Sequence, residues 1–139
     1  MQTFLPYPDF AASAAALDPR RLGKQRVEAL TILRTLKGRS FGWAQHPAVK
    51  MWRGCEAALT AYMDACIREW MKRGYRNTMP LSRVRRYRRP EWLGDDAFHA
   101  SHRANLLRKE PAWYGRFGWR EDPRDPYVWP RAVDAEAMA

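Results

Sequence analysis

The sequence predicts an all-α protein: one compact helical domain over residues 1–139, ending in a long irregular C-terminal tail rich in aromatic residues and proline. Three observations lead there. Apolar side chains recur every three or four residues through two long segments, as in helices with one buried face. Helix starts are written as Asp18-Pro19 and His46-Pro47, and helix stops as Gly38 and Gly74. No run alternates apolar and polar residues for long enough to make a strand, and no internal repeat is visible.

Each element follows in order. A short alanine-rich helix is expected from Asp9 to about Leu17. Asp18 then supplies an N-cap and Pro19 the first helical position of a longer helix, whose buried face is Leu22, Ala29, Leu33 and Leu36. His46-Pro47 opens the next helix, expected to run unbroken to Arg73. Trp52, Cys55, Leu59, Met63, Cys66, Ile67 and Trp70 form its apolar side, and Lys50, Arg53, Glu56, Asp64, Arg68 and Lys72 its charged side. Cys55 and Cys66 would lie ~16 Å apart along that helix, too far to bridge, and are read as buried thiols. A final helix is expected from Asp95 or Asp96 to about Lys109, stopped by Pro111. The rest is tail: Trp113, Tyr114, Phe117 and Trp119, then Tyr127, Val128, Trp129 and Pro130.

The charge balance narrows the partners. Lys and Arg total 25 against 15 Asp and Glu, a formal +10, which suits a polyanion and not a cationic or neutral partner. No apolar run approaches the ~20 residues of a membrane span, and no basic stretch leads into an apolar one at the N-terminus. A cytoplasmic, nucleoid-associated protein acting as a monomer is expected.

The strongest local signal is Arg76, Arg83, Arg85, Arg86, Arg88 and Arg89, six guanidiniums within fourteen residues and no acid among them. They repel one another unless an anion lies between them, and each offers a planar fork of donors suited to phosphate. The helix from Pro19 carries a second polar stripe of Arg21, Lys24, Gln25 and Glu28. An acid inside a phosphate-binding stripe repels the ligand unless it is used, so Glu28 is a candidate catalytic carboxylate; a helix salt bridge to Lys24 explains its position equally well. Trp43, Trp113, Tyr114 and Trp119 are candidates to stack on bases. His99 and His102 share a helix face but lack a third ligand, so no metal is expected. There is no glycine-rich phosphate loop, nucleophile-elbow serine or Cys–His pair.

Leu22-Gly23-Lys24-Gln25-Arg26-Val27-Glu28, His46-Pro47 through Met51-Trp52-Arg53-Gly54, Trp70-Met71-Lys72-Arg73-Gly74-Tyr75 and Glu110-Pro111-Ala112-Trp113-Tyr114-Gly115 resemble segments of the pyrimidine-dimer DNA glycosylases, the phage endonuclease V-like family, in a bacterial branch. The resemblance covers most of residues 1–119; the tail from residue 120 to 139 has no clear counterpart. It implies an all-helical glycosylase and abasic-site lyase acting on damaged or modified pyrimidines in duplex DNA, without metal or cofactor. The implied nucleophile is the N-terminal amine, which attacks the sugar C1′ and forms a Schiff base, with a glutamate assisting. An α-amine ionises near 7.7–8.0, so part of it is neutral at cellular pH, whereas a lysine near 10.4 needs a large shift. Gln2 is too bulky for ready removal of the initiator methionine, which assigns the amine to Met1. By the same resemblance Glu28 is the glutamate, and Arg21, Lys24, Arg26, His102 and Arg103 join the loop residues Arg83, Arg85 and Arg86 as DNA-binding candidates. The alternatives are a non-catalytic duplex-DNA-binding module of the same fold and a basic RNA-binding protein.

Overall fold

The computed structural model describes residues 1–38 and 44–130; Trp43 and residues 131–139 of the tail lie outside them. Six helices order the described chain: α1 (Phe10–Ala16), α2 (Pro19–Leu36), α3 (Pro47–Lys50), α4 (Glu56–Lys72), α5 (Asp96–Lys109) and α6 (Pro111–Tyr114), followed by a 3-10 turn at Gly115–Phe117. No strand occurs among the described residues, and the all-α expectation holds.

The caps act as the sequence indicates. The Asp9 carboxylate accepts from Ala12 N–H, and the Asp18 carboxylate from Arg21 N–H, satisfying donors that a helix start leaves open. Gly38 follows α2 with φ +75°. One expectation fails. The chain does not continue as a single helix from Pro47 to Arg73, because it turns between Met51 and Cys55. Gly54 takes φ +79° there, a conformation that costs glycine nothing and other residues much. Trp52 and Cys55 are buried on both sides of the turn, so the apolar spacing runs across the break and hides it.

The core forms where α2 meets α4. Leu22, Ala29, Ile32 and Leu33 pack with Ala58, Leu59, Tyr62, Cys66 and Ile67 in one cluster. Both cysteines are buried and free. On the other side of α4, Phe10 of α1 meets the Tyr62 ring edge-on at 5.6 Å and Trp52 at 6.3 Å.

Gly23 sets the approach of α2 to Trp70. A Cβ at this position would stand 3.0 Å from the indole. That ring is held by Arg26 over one face at 4.3 Å, by Tyr75 stacked at 4.3 Å, and by its own N–H on the Arg76 carbonyl at 2.9 Å. Gly23→Ala gains up to ~1 kcal/mol of helix propensity. Overpacking against a fixed ring costs ~1–3 kcal/mol. The expected net result is a lower urea midpoint, and a raised midpoint would show that Trp70 moves freely.

After α6 the chain returns along α5 as an extended strap. Ser101, Asn105 and Arg108 stand at steps of four and three on one face of α5. The Ser101 hydroxyl accepts from Val128 N–H at 3.0 Å, Asn105 donates to the Asp125 carbonyl at 3.3 Å, and Arg108 donates to the Pro123 carbonyl at 2.9 Å. Arg103 donates to the Glu121 carboxylate. The strap backbone is thus held by side chains in place of a β-ladder.

Candidate active site and nucleic-acid interface

The start of the chain is threaded through the helices. Gln2, Thr3, Phe4 and Leu5 are buried with no secondary structure of their own, so side chains must satisfy their backbone groups. Gln25, also buried, does most of this: Nε2 donates to the Gln2 carbonyl at 2.8 Å, while Oε1 accepts from Phe4 N–H at 2.9 Å. The Tyr62 hydroxyl lies 2.7 Å from both Gln25 Oε1 and the Phe4 carbonyl. Trp52 donates to the Thr3 hydroxyl at 3.0 Å. Leu5 N–H donates to His102 Nδ1 at 2.9 Å, and the Leu5 carbonyl lies 2.7 Å from His99 Nδ1.

This thread brings the first residues to Glu28. Its Oε2 accepts from Gln2 N–H and from Gln25 Nε2, each at 3.2 Å. The ion pair to Lys24 that would make Glu28 a scaffold residue is not formed among the described residues. Met1 and Glu28 share an open pocket of about 490 Å³ with Arg20, Arg21, Lys24, His46 and Lys109. Burial, then the nearby N-terminal ammonium, lowers the His46 pKa, and Glu28 works the other way, so the three groups are within electrostatic reach of one another. Burial, then Arg21 and Arg108, lowers the pKa of Lys109. Arg20, Arg21, Lys24 and Lys109 bring four cations to one pocket; Arg21 is paired with Asp18 at 3.2 Å, and an anion placed among them relieves the repulsion that remains.

The sequence candidates separate into three groups. Met1, Glu28, Arg21 and Lys24 are brought together at the pocket. Arg83, Arg85 and Arg86 are exposed and do not line that pocket, and the same holds for Arg76, Arg88 and Arg89. The remainder are committed inside the fold. His102 is 0% exposed and accepts from Leu5, so it cannot reach a phosphate, which corrects the expectation that it binds DNA. Arg103 is held by Glu121 and by the Pro6 carbonyl at 2.8 Å. Arg26 lies over Trp70 and donates to Asn77 at 2.9 Å, away from the Glu28 pocket. Of the aromatic candidates, Tyr114 is fully buried against Asp18, Trp113 donates to the Ala16 carbonyl at 2.8 Å, and Trp119 donates to the Tyr7 hydroxyl at 2.9 Å.

Asp64 explains how the arginine segment is displayed. The sequence places it on the charged side of α4, yet it is 0% exposed. Its carboxylate accepts from the backbone N–H groups of Ser82 at 2.9 Å, Arg83 at 2.8 Å and Val84 at 3.4 Å. Arg83 has φ +59°, which is uncommon outside glycine, in the middle of this clasp. The segment is fixed from below while its guanidiniums face outward.

Sequence reasoning missed Gln25 as the clamp of the N-terminal thread, Arg20 and Lys109 at the pocket, and His46 as more than a cap. His46 does cap α3, accepting from Ala48 N–H at 3.0 Å, and it also lines the pocket. Arg20 was legible as the basic neighbour of Arg21, whereas Lys109 reaches the pocket only through tertiary packing.

His102 gives a pH prediction. Burial, then His99, lowers its pKa from 6.5 to about 3. The unfolded chain therefore takes up a proton that the fold refuses. This contribution to stability is complete above pH 6.5 and is lost progressively as pH falls from there toward 3. Burial also lowers the His99 pKa, in the same direction. His102→Gln should flatten the fall in urea midpoint between about pH 7 and 4 without abolishing it. An unchanged profile would show that His102 protonates freely in the fold.

Among the described residues, no group of three or more His, Cys, Asp or Glu side chains is placed to hold a metal ion. No helix among them is long and apolar enough to cross a membrane. The model of a protein family described as pyrimidine dimer DNA glycosylase matches residues 1–83, more than half of the chain and the part that contains the N-terminal thread, α2, Glu28 and Asp64. Comparison with curated proteins and with solved structures gave no match.

Proposed function

The chain belongs to the pyrimidine dimer DNA glycosylase family, and from that premise we propose that it releases damaged or modified pyrimidines from duplex DNA and then nicks the strand at the abasic site. The observation that carries this reading is the delivery of the chain start to Glu28, in a pocket ringed by cations. The neutral amine of Met1 attacks C1′ of the damaged nucleotide. The C1′–N bond to the base breaks and the base leaves with one proton of the amine; the C1′–O4′ bond then breaks, O4′ takes the second amine proton, and an imine joins the chain to the opened sugar. Loss of a C2′ proton then expels the 3′ phosphate by β-elimination. Glu28 stabilises the positive charge that develops on the sugar and carries protons during elimination. Arg20, Arg21, Lys24 and Lys109 hold phosphates beside the reacting sugar, and Arg83, Arg85 and Arg86 hold the duplex farther out.

No step calls for a metal, and the protein would act as a monomer on the nucleoid. Ultraviolet-irradiated duplex is the direct test. Irradiated duplex should be nicked with EDTA present, while undamaged duplex and RNA are left intact. Activity that EDTA removes and a divalent ion restores would contradict the imine route. Tight binding to duplex without any nicking would favour a non-catalytic module, and preference for RNA would favour an RNA-binding protein.

A further inference from the structure

The backbone of Gln2 is claimed on both sides, its N–H by the Glu28 carboxylate and its carbonyl by the Gln25 amide. A peptide group is planar, so fixing the one between Met1 and Gln2 leaves a single main-chain torsion, ψ of Met1, to place the α-amine. The amine is thereby confined to an arc whose position these two side chains set.

Gln25 also touches Glu28 directly. The two stand three residues apart on one face of α2, and Gln25 Nε2 donates to the Gln2 carbonyl at 2.8 Å and to Glu28 Oε2 at 3.2 Å. The amide can face only one way. Phe4 N–H can only donate and the Gln2 carbonyl can only accept, so Oε1 turns to the first and Nε2 to the second. The Tyr62 hydroxyl, 2.7 Å from Oε1, is a further partner on the oxygen side. Gln25 is 1% exposed, so water does not compete for these bonds.

We propose that Gln25 is a positioning residue for the reaction: one buried amide sets the N-terminal nucleophile and the Glu28 carboxylate in register with each other. The inference rests on the glycosylase reading above. Gln25 does more than hold the thread, because the same nitrogen that fixes Gln2 also fixes the carboxylate. A reacting group displaced by about an ångström loses much of the advantage of being held.

The test is single-turnover nicking of a duplex with one abasic site, at saturating protein, so that binding does not limit the rate. Gln25→Leu removes every polar contact and should slow nicking on the order of tenfold or more, with duplex affinity within about threefold of wild type. Gln25→Glu is the second variant. It keeps an acceptor for Phe4 N–H and the Tyr62 hydroxyl, so the fold is retained, but turns an oxygen toward the Gln2 carbonyl and Glu28. Its nicking rate should fall to a similar degree. Leu33→Ala controls for stability: it opens a cavity in the core on the same helix and lowers the melting temperature, yet should keep nicking within about twofold of wild type. A near wild-type rate in either Gln25 variant would overturn the positioning role. So would a loss of affinity in Gln25→Leu as large as its loss of rate, or an equal loss of rate in Leu33→Ala. Wild-type protein inactive on the abasic duplex would instead refute the glycosylase reading. The register is then read without DNA, from the rate at which an N-hydroxysuccinimide ester acylates the Met1 α-amine. Gln25→Leu should raise that rate about threefold or more, and an unchanged rate would overturn the proposal.

Discussion

Glu28→Gln is expected to bind damaged duplex at least as tightly as wild type while base release, strand nicking or both fall a hundredfold or more. The two effects have one cause. The carboxylate lies in a pocket with Arg20, Arg21, Lys24 and Lys109, where a negative charge opposes phosphate binding. Removing it relieves that opposition and withdraws the group that stabilises the positive sugar. Glutamine keeps the side-chain shape and one carbonyl oxygen for Gln2 N–H and Gln25 Nε2, so the N-terminal thread should remain seated. A residue that merely held the thread would show the reverse pattern, a lower thermal midpoint with activity changed only in proportion. Single-turnover rates, duplex affinity and the melting temperature separate the two.

Neutralising Arg83, Arg85 and Arg86 to glutamine should weaken duplex binding on the order of tenfold or more and reduce the slope of log affinity against log salt by up to about three. The motive is geometric as well as electrostatic, since the three guanidiniums are exposed on a segment clasped by the buried Asp64 carboxylate. Asp64→Asn provides an independent route to the same result. It leaves every arginine in place but swaps one accepting oxygen for a donor facing backbone N–H groups, which costs ~1–3 kcal/mol. Arg83, at φ +59°, then has little to hold it. Binding should fall in both variants, and in Asp64→Asn stability should fall too. If affinity and salt slope are unchanged in the triple variant, the segment is a solvated surface and the duplex lies elsewhere.

Much of this was legible in the sequence because it depends on local rules. Asp18-Pro19 and the apolar spacing after it define α2, and an acid among cations marks Glu28 as a candidate, although spacing alone fits a helix salt bridge to Lys24 equally well. The break at Gly54 was not legible, since Trp52, Cys55 and Leu59 keep helical spacing on both sides of it. The side-chain roles of His102 and Asp64 were read wrongly for one reason. Each is a polar residue on a helix that looks like surface until a distant backbone segment arrives to use it, Leu5 for His102 and Ser82 to Val84 for Asp64. The threading of residues 2–5 has no local signature at all. Gln25 belonged to the polar stripe of α2, and only the folded chain shows its amide satisfying the backbone of Gln2 and Phe4.

The central claim is that the amine at the start of the chain, held beside Glu28, is the nucleophile. Borohydride reduction during incubation with a duplex carrying one abasic site, followed by mapping of the cross-linked peptide, addresses it directly. The account predicts a covalent protein–DNA adduct on the α-amine of Met1, abolished when that amine is acetylated beforehand. No adduct, or an adduct on the pocket lysines Lys24 or Lys109, would contradict it.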